Sequence, residues 1–234
     1  EGYRVFVESG AGEGIKYSDL HYTEAGAQAT TASEVFRCDV VLKITPLNEQ
    51  EAAMIRPGVF LLTLLQPQYQ SASVVRILMQ KKVTAVAIDL ITDERGRYLF
   101  ADILDEIDGR AAIVLASELL SNRSGEKGVL LGGIPGVASS EVLIIGGGLA
   151  GRAAARAACG LGALVRVFDN DFYRLKATQL EVSPSIFTSN MHPHVLENAM
   201  RSADVVIGTE VPEGGRLGVS YIEMMKRGAL LFDL

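Results

Sequence analysis

The stretch "SSEVLIIGGGLAGRAAARAACGLGALVRVFDND", residues 139–171, limits what this chain can fold into more than any other. It places six glycines in and after a short run of Val, Leu and Ile. Val142 to Ile145 is continuously apolar, with Ser139 and Ser140 before it and three glycines after it. That pattern suits a strand buried on both faces of a parallel sheet. Over 149–161, Ala150, Ala154 and Ala158 recur every four residues, so the expected helix carries one nearly smooth face. Gly160 and Gly162 close it, and Leu164 to Phe168 reads as a second strand. The stretch is a βαβ unit.

Its first turn reads Gly146-x-Gly148-x-x-Gly151. The first glycine permits the tight turn, the second lets a diphosphate approach the main chain, and the third lets helix and strand pack closely. The helix start, with Leu149 and Ala150, then offers unpaired N–H groups and a positive dipole end to an anion. Asp169 ends the second strand, 23 residues after Gly146, about where the ribose-binding carboxylate of this motif belongs. FAD and S-adenosylmethionine use the same layout. Within nicotinamide cofactors, a carboxylate accepts hydrogen bonds from free ribose hydroxyls and repels a 2′-phosphate, which favours NAD over NADP.

Bulk composition narrows the class. With 234 residues, 48% of them hydrophobic, the chain has ample apolar surface to bury, which argues against disorder. The formal net charge of −6, with Lys and Arg scattered, argues against nucleic acid and anionic membranes as partners. The two cysteines, Cys38 and Cys159, sit among apolar residues and do not suggest a disulfide framework, so a reduced, cytoplasmic setting is expected. No apolar run reaches the roughly 18 residues that a bilayer requires, and no signal-peptide pattern opens the chain. Glu1 stands without an initiating Met, and strands are expected close to both ends, so the chain reads as an interior section of a longer one.

The rest of the second half continues the alternation. Strands are expected at 186–188, 204–208 and 229–233, and helices over "PHVLENAMRSA" and "SYIEMMKRG". The first half has candidate strands at 4–7, 39–43, 59–63 and 84–88. Its helices fall on "DLHYTEAGA", "NEQEAAMI" and "SASVVRILMQKK". The amphipathic stretch "ADILDEIDGRAAIVLASELLSN" reads as a helix bridging the halves, and "RSGEKGVLLGGIPGV" as a Gly-rich linker. The expected fold is α/β: two Rossmann-like lobes, each a doubly wound parallel sheet, over 1–118 and 119–234, with a ligand-binding cleft between them.

A Rossmann loop does not name a reaction. Lys43 closes the apolar strand "DVVLK"; it either holds a carboxylate or carbonyl oxygen of a substrate or is a solvated strand-end lysine. Gln66 follows another strand and can donate and accept hydrogen bonds but cannot shuttle a proton. His192 and His194, separated by Pro193, open a helix without an accompanying Cys or acid cluster, which is weak support for a metal. Asp105, Glu106 and Asp108 read as the solvated face of the bridging helix.

Several stretches together resemble one family, the alanine dehydrogenases, which share their fold with the soluble α subunit of proton-pumping nicotinamide nucleotide transhydrogenase. They are "VFVESGAGEGIKYSDLHYTEAGA", "DVVLKITP", "GVLLGGIPGV", "GGGLAGRAAARAACGLGALVRVFDND" and "ADVVIG". The resemblance implies reversible, NAD-dependent oxidative deamination of L-alanine to pyruvate and ammonia by a homo-oligomer, a hexamer or a dimer. It places Lys43 on the substrate carboxylate or carbonyl. NAD falls to Gly146, Gly148, Leu149, Ala150, Gly151, Asp169, Asn170, Arg174 and Gly208. It also exposes departures. The family's acid–base histidine falls on Gln66, and a serine near the cofactor falls on Asp105. The substrate-binding arginine would precede Glu1, and the catalytic aspartate would follow Leu234. An NAD-binding transhydrogenase α-like protein and a non-catalytic NAD-binding protein are the alternatives. "GRYLFADILDEIDG" stands where the transhydrogenase subunit has an Arg-Ala-Gln segment, and Gln66 keeps the non-catalytic reading open.

Overall fold

The computed structural model describes residues 2–66, 70–121, 128–209 and 218–234. The chain divides into two compact units, Glu1–Ala101 and Asp102–Leu234.

The second unit is built on one five-stranded sheet. Its strands are β6 (Glu141–Ile145), β7 (Leu164–Phe168), β8 (Phe187–Ser189), β9 (Val205–Gly208) and β10 (Leu230–Asp233). They lie in the order β10-β9-β6-β7-β8, all parallel. The order reverses at β6, so the crevice beyond its C-terminal end is the topological switch point at which such sheets bind ligands. The apolar run in β6 is continuous because both faces are covered. Val142 and Ile144 enter one core with Val165, Val167, Val205 and Ile207, while Leu143 and Ile145 enter the other with Phe168 and Val206. Helix α6 (Leu149–Gly160) covers the first face through Ala154, Ala155 and Ala158, and α8 (Pro193–Ser202) covers the second through Leu196, Ala199 and Met200.

Helix α5 (Ala101–Leu120) belongs to this unit rather than standing between two halves, so the compact break falls at its start and not at 118/119. Ala112, Ile113, Ala116 and Leu120 join the same core as the alanines of α6. The approach is close enough that a Cβ on Gly109 would lie 2.1 Å from the Ala150 carbonyl oxygen. Residues 123–127 of the expected linker lie outside the described residues, but the rest of it is packed structure. Leu131 is buried, and a Cβ on Gly132 would meet the Leu161 carbonyl at 1.8 Å. A further helix, α7 (Phe172–Glu181), fills the interval between β7 and β8. Asp171 caps it by accepting from the backbone N–H groups of Tyr173 and Arg174.

In the first unit the parallel strands fall into two sheets. β1 (Phe6–Glu8) pairs with β2 (Gln28–Thr30), while β3 (Val40–Lys43), β4 (Phe60–Thr63) and β5 (Thr84–Ala87) form the second in that order. Helices α1 (Asp19–Glu24) and α2 (Ala32–Val35) are short; α3 (Glu49–Met54) and α4 (Ala72–Gln80) are amphipathic and cover one face of the three-stranded sheet. Val41 and Leu61 point into that core with Ala52, Ile55, Val74 and Leu78, and their neighbours Val40 and Leu42 are exposed. No helix among the described residues is long and apolar enough to cross a membrane.

Candidate functional site

The turn between β6 and α6 is shaped by its glycines. Gly146 has φ +105°, a left-handed value that only glycine adopts readily. Gly148 is the N-cap of α6. A Cβ on Gly151 would lie 1.9 Å from the Gly146 carbonyl oxygen, so the third glycine is required for helix and strand to meet. The backbone N–H of Gly146 donates to the Phe168 carbonyl at 2.8 Å, and the Thr209 hydroxyl donates to the Gly146 carbonyl at 3.2 Å, fixing the turn on both sides. Gly148, Leu149 and Ala150 line a small cavity at the α6 N-terminus, with Thr209 and Leu234. The first N–H groups of a helix have no intrahelical partner, so the α6 N-terminus presents donors and a positive dipole end to this cavity, whose wall also carries Asp105 and Asp108.

Asp169 is nearly buried at the end of β7 and organises the loop. One carboxylate oxygen accepts from the Gly147 N–H and the other from the Asp171 N–H, each at 2.7 Å. A carboxylate oxygen has two acceptor positions, so each oxygen keeps acceptor capacity beyond its backbone donor. Arg174 of α7 stands 3.8 Å from Asp169 and 4.0 Å from Asp171. Asn170 accepts from the Met191 N–H at 3.2 Å and ties the β7 loop to the β8 loop. Gly208 ends β9 beside Ile145, and a Cβ there would make only ordinary contacts at 3.9 Å.

Two of the acids expected on a solvated face also reach this turn, Asp105 partly covered and Asp108 exposed as expected. Asp105 and Asp108 of α5 line the same cavity as Gly148. Gly109 brings α5 against Ala150, and the residues before it are carried to the loop. Glu106, between them, turns to Arg110 at 2.6 Å and Arg156 at 3.7 Å. Its hydrogen bond from the Arg110 guanidinium holds its carboxyl below the usual carboxylate range.

The first unit collects polar groups at the C-terminal edge of the β3-β4-β5 sheet. Lys43 ends β3 with its ammonium already partnered within the protein. Its ammonium lies 3.3 Å from Glu51 and donates to the Thr45 hydroxyl and to the carbonyls of Thr45 and Pro46. Glu51 also closes the α3 capping box by accepting from the Asn48 N–H at 2.9 Å. Gln66, beyond β4, has φ +41°, unusual for a residue with a side chain. The Asp89 carboxylate holds it there, accepting from the Leu65 N–H at 2.8 Å and the Gln66 N–H at 3.1 Å. Strain maintained by such over-determination is characteristic of functional positions. His192 and His194 stand at the start of α8, with ring centroids 5.9 Å apart, as N-cap and second helical residue.

Asp89, Thr209 and Arg152, whose guanidinium reaches the Gly147 carbonyl, brace the backbone at these candidate positions and were not singled out from the sequence. The first two follow strand ends, the one local signal available.

Comparisons with known proteins agree over both units. Residues 1–130 match the family model described as alanine dehydrogenase/PNT, N-terminal domain, and residues 112–234 match the corresponding C-terminal domain. The chain is 31% identical to an alanine dehydrogenase of Staphylococcus saprophyticus and 33% identical to one of Mycobacterium tuberculosis. Each match takes in all of this chain but 64% of the relative's length. A solved L-alanine dehydrogenase superposes with TM-score 0.82 at 29% identity, over 99% of this chain and 65% of that one. A transhydrogenase from Sinorhizobium meliloti shares the fold, with TM-score 0.70 at 24% identity over 98% and 68%.

Proposed function

Because the chain belongs to the alanine dehydrogenase/PNT family, we propose that it carries the NAD-dependent oxidation of L-alanine to pyruvate and ammonia, and the reverse amination. The observation that carries this reading is the glycine turn under Asp169, where a Cβ on Gly151 would fill the space the loop needs. The residues fit a dinucleotide. Gly148, Leu149 and Ala150 hold the diphosphate, Asp169 the adenosine ribose, and Asn170, Arg174 and Gly208 border the cofactor. NAD, when bound, supplies the hydride acceptor. The second unit is thus the NAD-binding domain and the first the substrate domain. Assembly as a homo-oligomer belongs to the same proposal.

Lys43 is the residue proposed to hold the alanine carboxylate. Its ammonium donors are already engaged by Glu51, Thr45 and Pro46, so the substrate carboxylate takes over one of these positions. Losing a charge-assisted hydrogen bond of about 1.5–3 kcal/mol weakens substrate binding roughly ten- to hundredfold. Lys43→Ala in the full-length protein is expected to lose that much kcat/KM for alanine while NAD affinity stays unchanged. Wild-type kinetics in this variant would confine Lys43 to its contacts with Glu51, Thr45 and Pro46.

Cofactor choice rests on Asp169. A buried carboxylate already braced by two backbone donors cannot move away from an added phosphate, so NAD is expected to bind more tightly than NADP. Calorimetric titration with both cofactors checks this; equal affinity or a preference for NADP overturns the ribose assignment.

A further inference from the structure

Gly147 has no place in the Gly-x-Gly-x-x-Gly pattern, yet it is the residue of the turn held from both sides. Its N–H donates to Asp169 at 2.7 Å. Its carbonyl accepts from Nη1 of Arg152, on the first turns of α6, at 2.9 Å. A Cβ at this position would sit 3.3 Å from both the Asp169 carboxylate and the Arg174 Cβ. Arg152 is itself mostly buried and braced. Its Nε lies 3.0 Å from Glu181 at the end of α7, close enough for an ion pair though out of line for a hydrogen bond. Glu181 also faces Arg156 at 3.9 Å.

This clamp has a consequence one bond further on. In a trans peptide the carbonyl and the following N–H point in opposite directions and move as one plane. Holding the Gly147 carbonyl toward Arg152 therefore turns the Gly148 N–H away from it. Gly148 lines the cavity at the α6 N-terminus, and among the described residues its N–H has no hydrogen-bond acceptor. A glycine pair is the sequence in which this plane would otherwise rotate most freely.

We propose that Arg152 is a positioning residue for the dinucleotide diphosphate: paired with Glu181, it locks the Gly147–Gly148 peptide so that the Gly148 N–H faces the anion. The proposal rests on the dinucleotide reading and deepens it. Arg152 does not touch the ligand; it removes the peptide rotation that binding would otherwise have to freeze. Its loss therefore falls on ligands that carry the diphosphate and spares those that do not.

The test is calorimetry on the full-length protein with NAD and ADP-ribose, with adenosine read by competition against ADP-ribose. Arg152→Met is expected to bind NAD and ADP-ribose about tenfold more weakly, with adenosine affinity unchanged. Arg152→Lys, which keeps one donor for the Gly147 carbonyl, should recover most of the loss. A variant that binds all three ligands as wild type does, or that loses adenosine in equal measure, overturns the positioning role. Failure of the wild-type protein itself to bind ADP-ribose is a separate result, and it overturns the dinucleotide reading together with the proposal.

Discussion

Gly151→Ala is expected to weaken NAD binding more than a hundredfold. The added Cβ would lie 1.9 Å from the Gly146 carbonyl oxygen, 3.0 Å from its carbon and 3.3 Å from an Ile144 methyl. Those atoms are backbone and core, and the Gly146 carbonyl is held by the Thr209 hydroxyl. Relief has to come from shifting the start of α6 away from the turn. Overpacking of this kind costs about 1–3 kcal/mol of stability. The shift also takes the helix N–H groups out of reach of the diphosphate, and a hundredfold corresponds to about 2.7 kcal/mol of binding. Gly160→Ala serves as the control. It lies on the same helix with open space at its Cβ position, and alanine is the better helix former. Calorimetry should show Gly160→Ala binding NAD as wild type does and Gly151→Ala not binding measurably. Equal affinities in the two variants would detach the turn from cofactor binding.

Gln66→His is the second large effect, and its sign is a gain. Deamination passes through a carbinolamine, so protons must move as hydride leaves and as water attacks. A positioned acid–base group typically contributes about 10²–10⁴-fold, and a glutamine contributes none of it. Histidine tolerates the left-handed conformation at this position better than most residues, and the Asp89 carboxylate fixes the backbone independently of the side chain. The variant is therefore expected to raise kcat/KM for alanine by about a hundredfold, the lower end of that range. It should also introduce a pH dependence in the titration range of an imidazole. Unchanged rates with an unchanged pH profile would remove position 66 from the chemistry.

How far the sequence could be read depended on where the folding information is local. The β6 turn and Asp169 were legible because glycine geometry, strand burial and an acid at a strand end all sit within one βαβ unit. Helix α7 was not, because it buries little more than Thr178 and so shows no apolar stripe. The four-residue α2 and three-residue β2 are too short to carry a period. Leu131 reads as linker until Gly132 is seen against the Leu161 carbonyl, a contact between segments far apart in sequence. The same limit applies to the site. Nothing near Lys43 signals that its ammonium meets Glu51, although Asn48 and Glu51 do spell a capping box. Asp89 and Arg152 acquire their roles only through the backbone groups that folding brings to them. Asp105 looks like part of a helix's solvated face until Gly109 is seen pressed against Ala150.

The measurement that bears most directly on the account is reduction of NAD by the full-length protein on addition of L-alanine, with pyruvate and ammonia assayed as products. NADH and pyruvate are expected in equal amounts, with the reaction reversed by pyruvate and ammonia and suppressed in Lys43→Ala. NAD that binds but is reduced by no addition of alanine, in the wild-type protein and in Gln66→His alike, would contradict it.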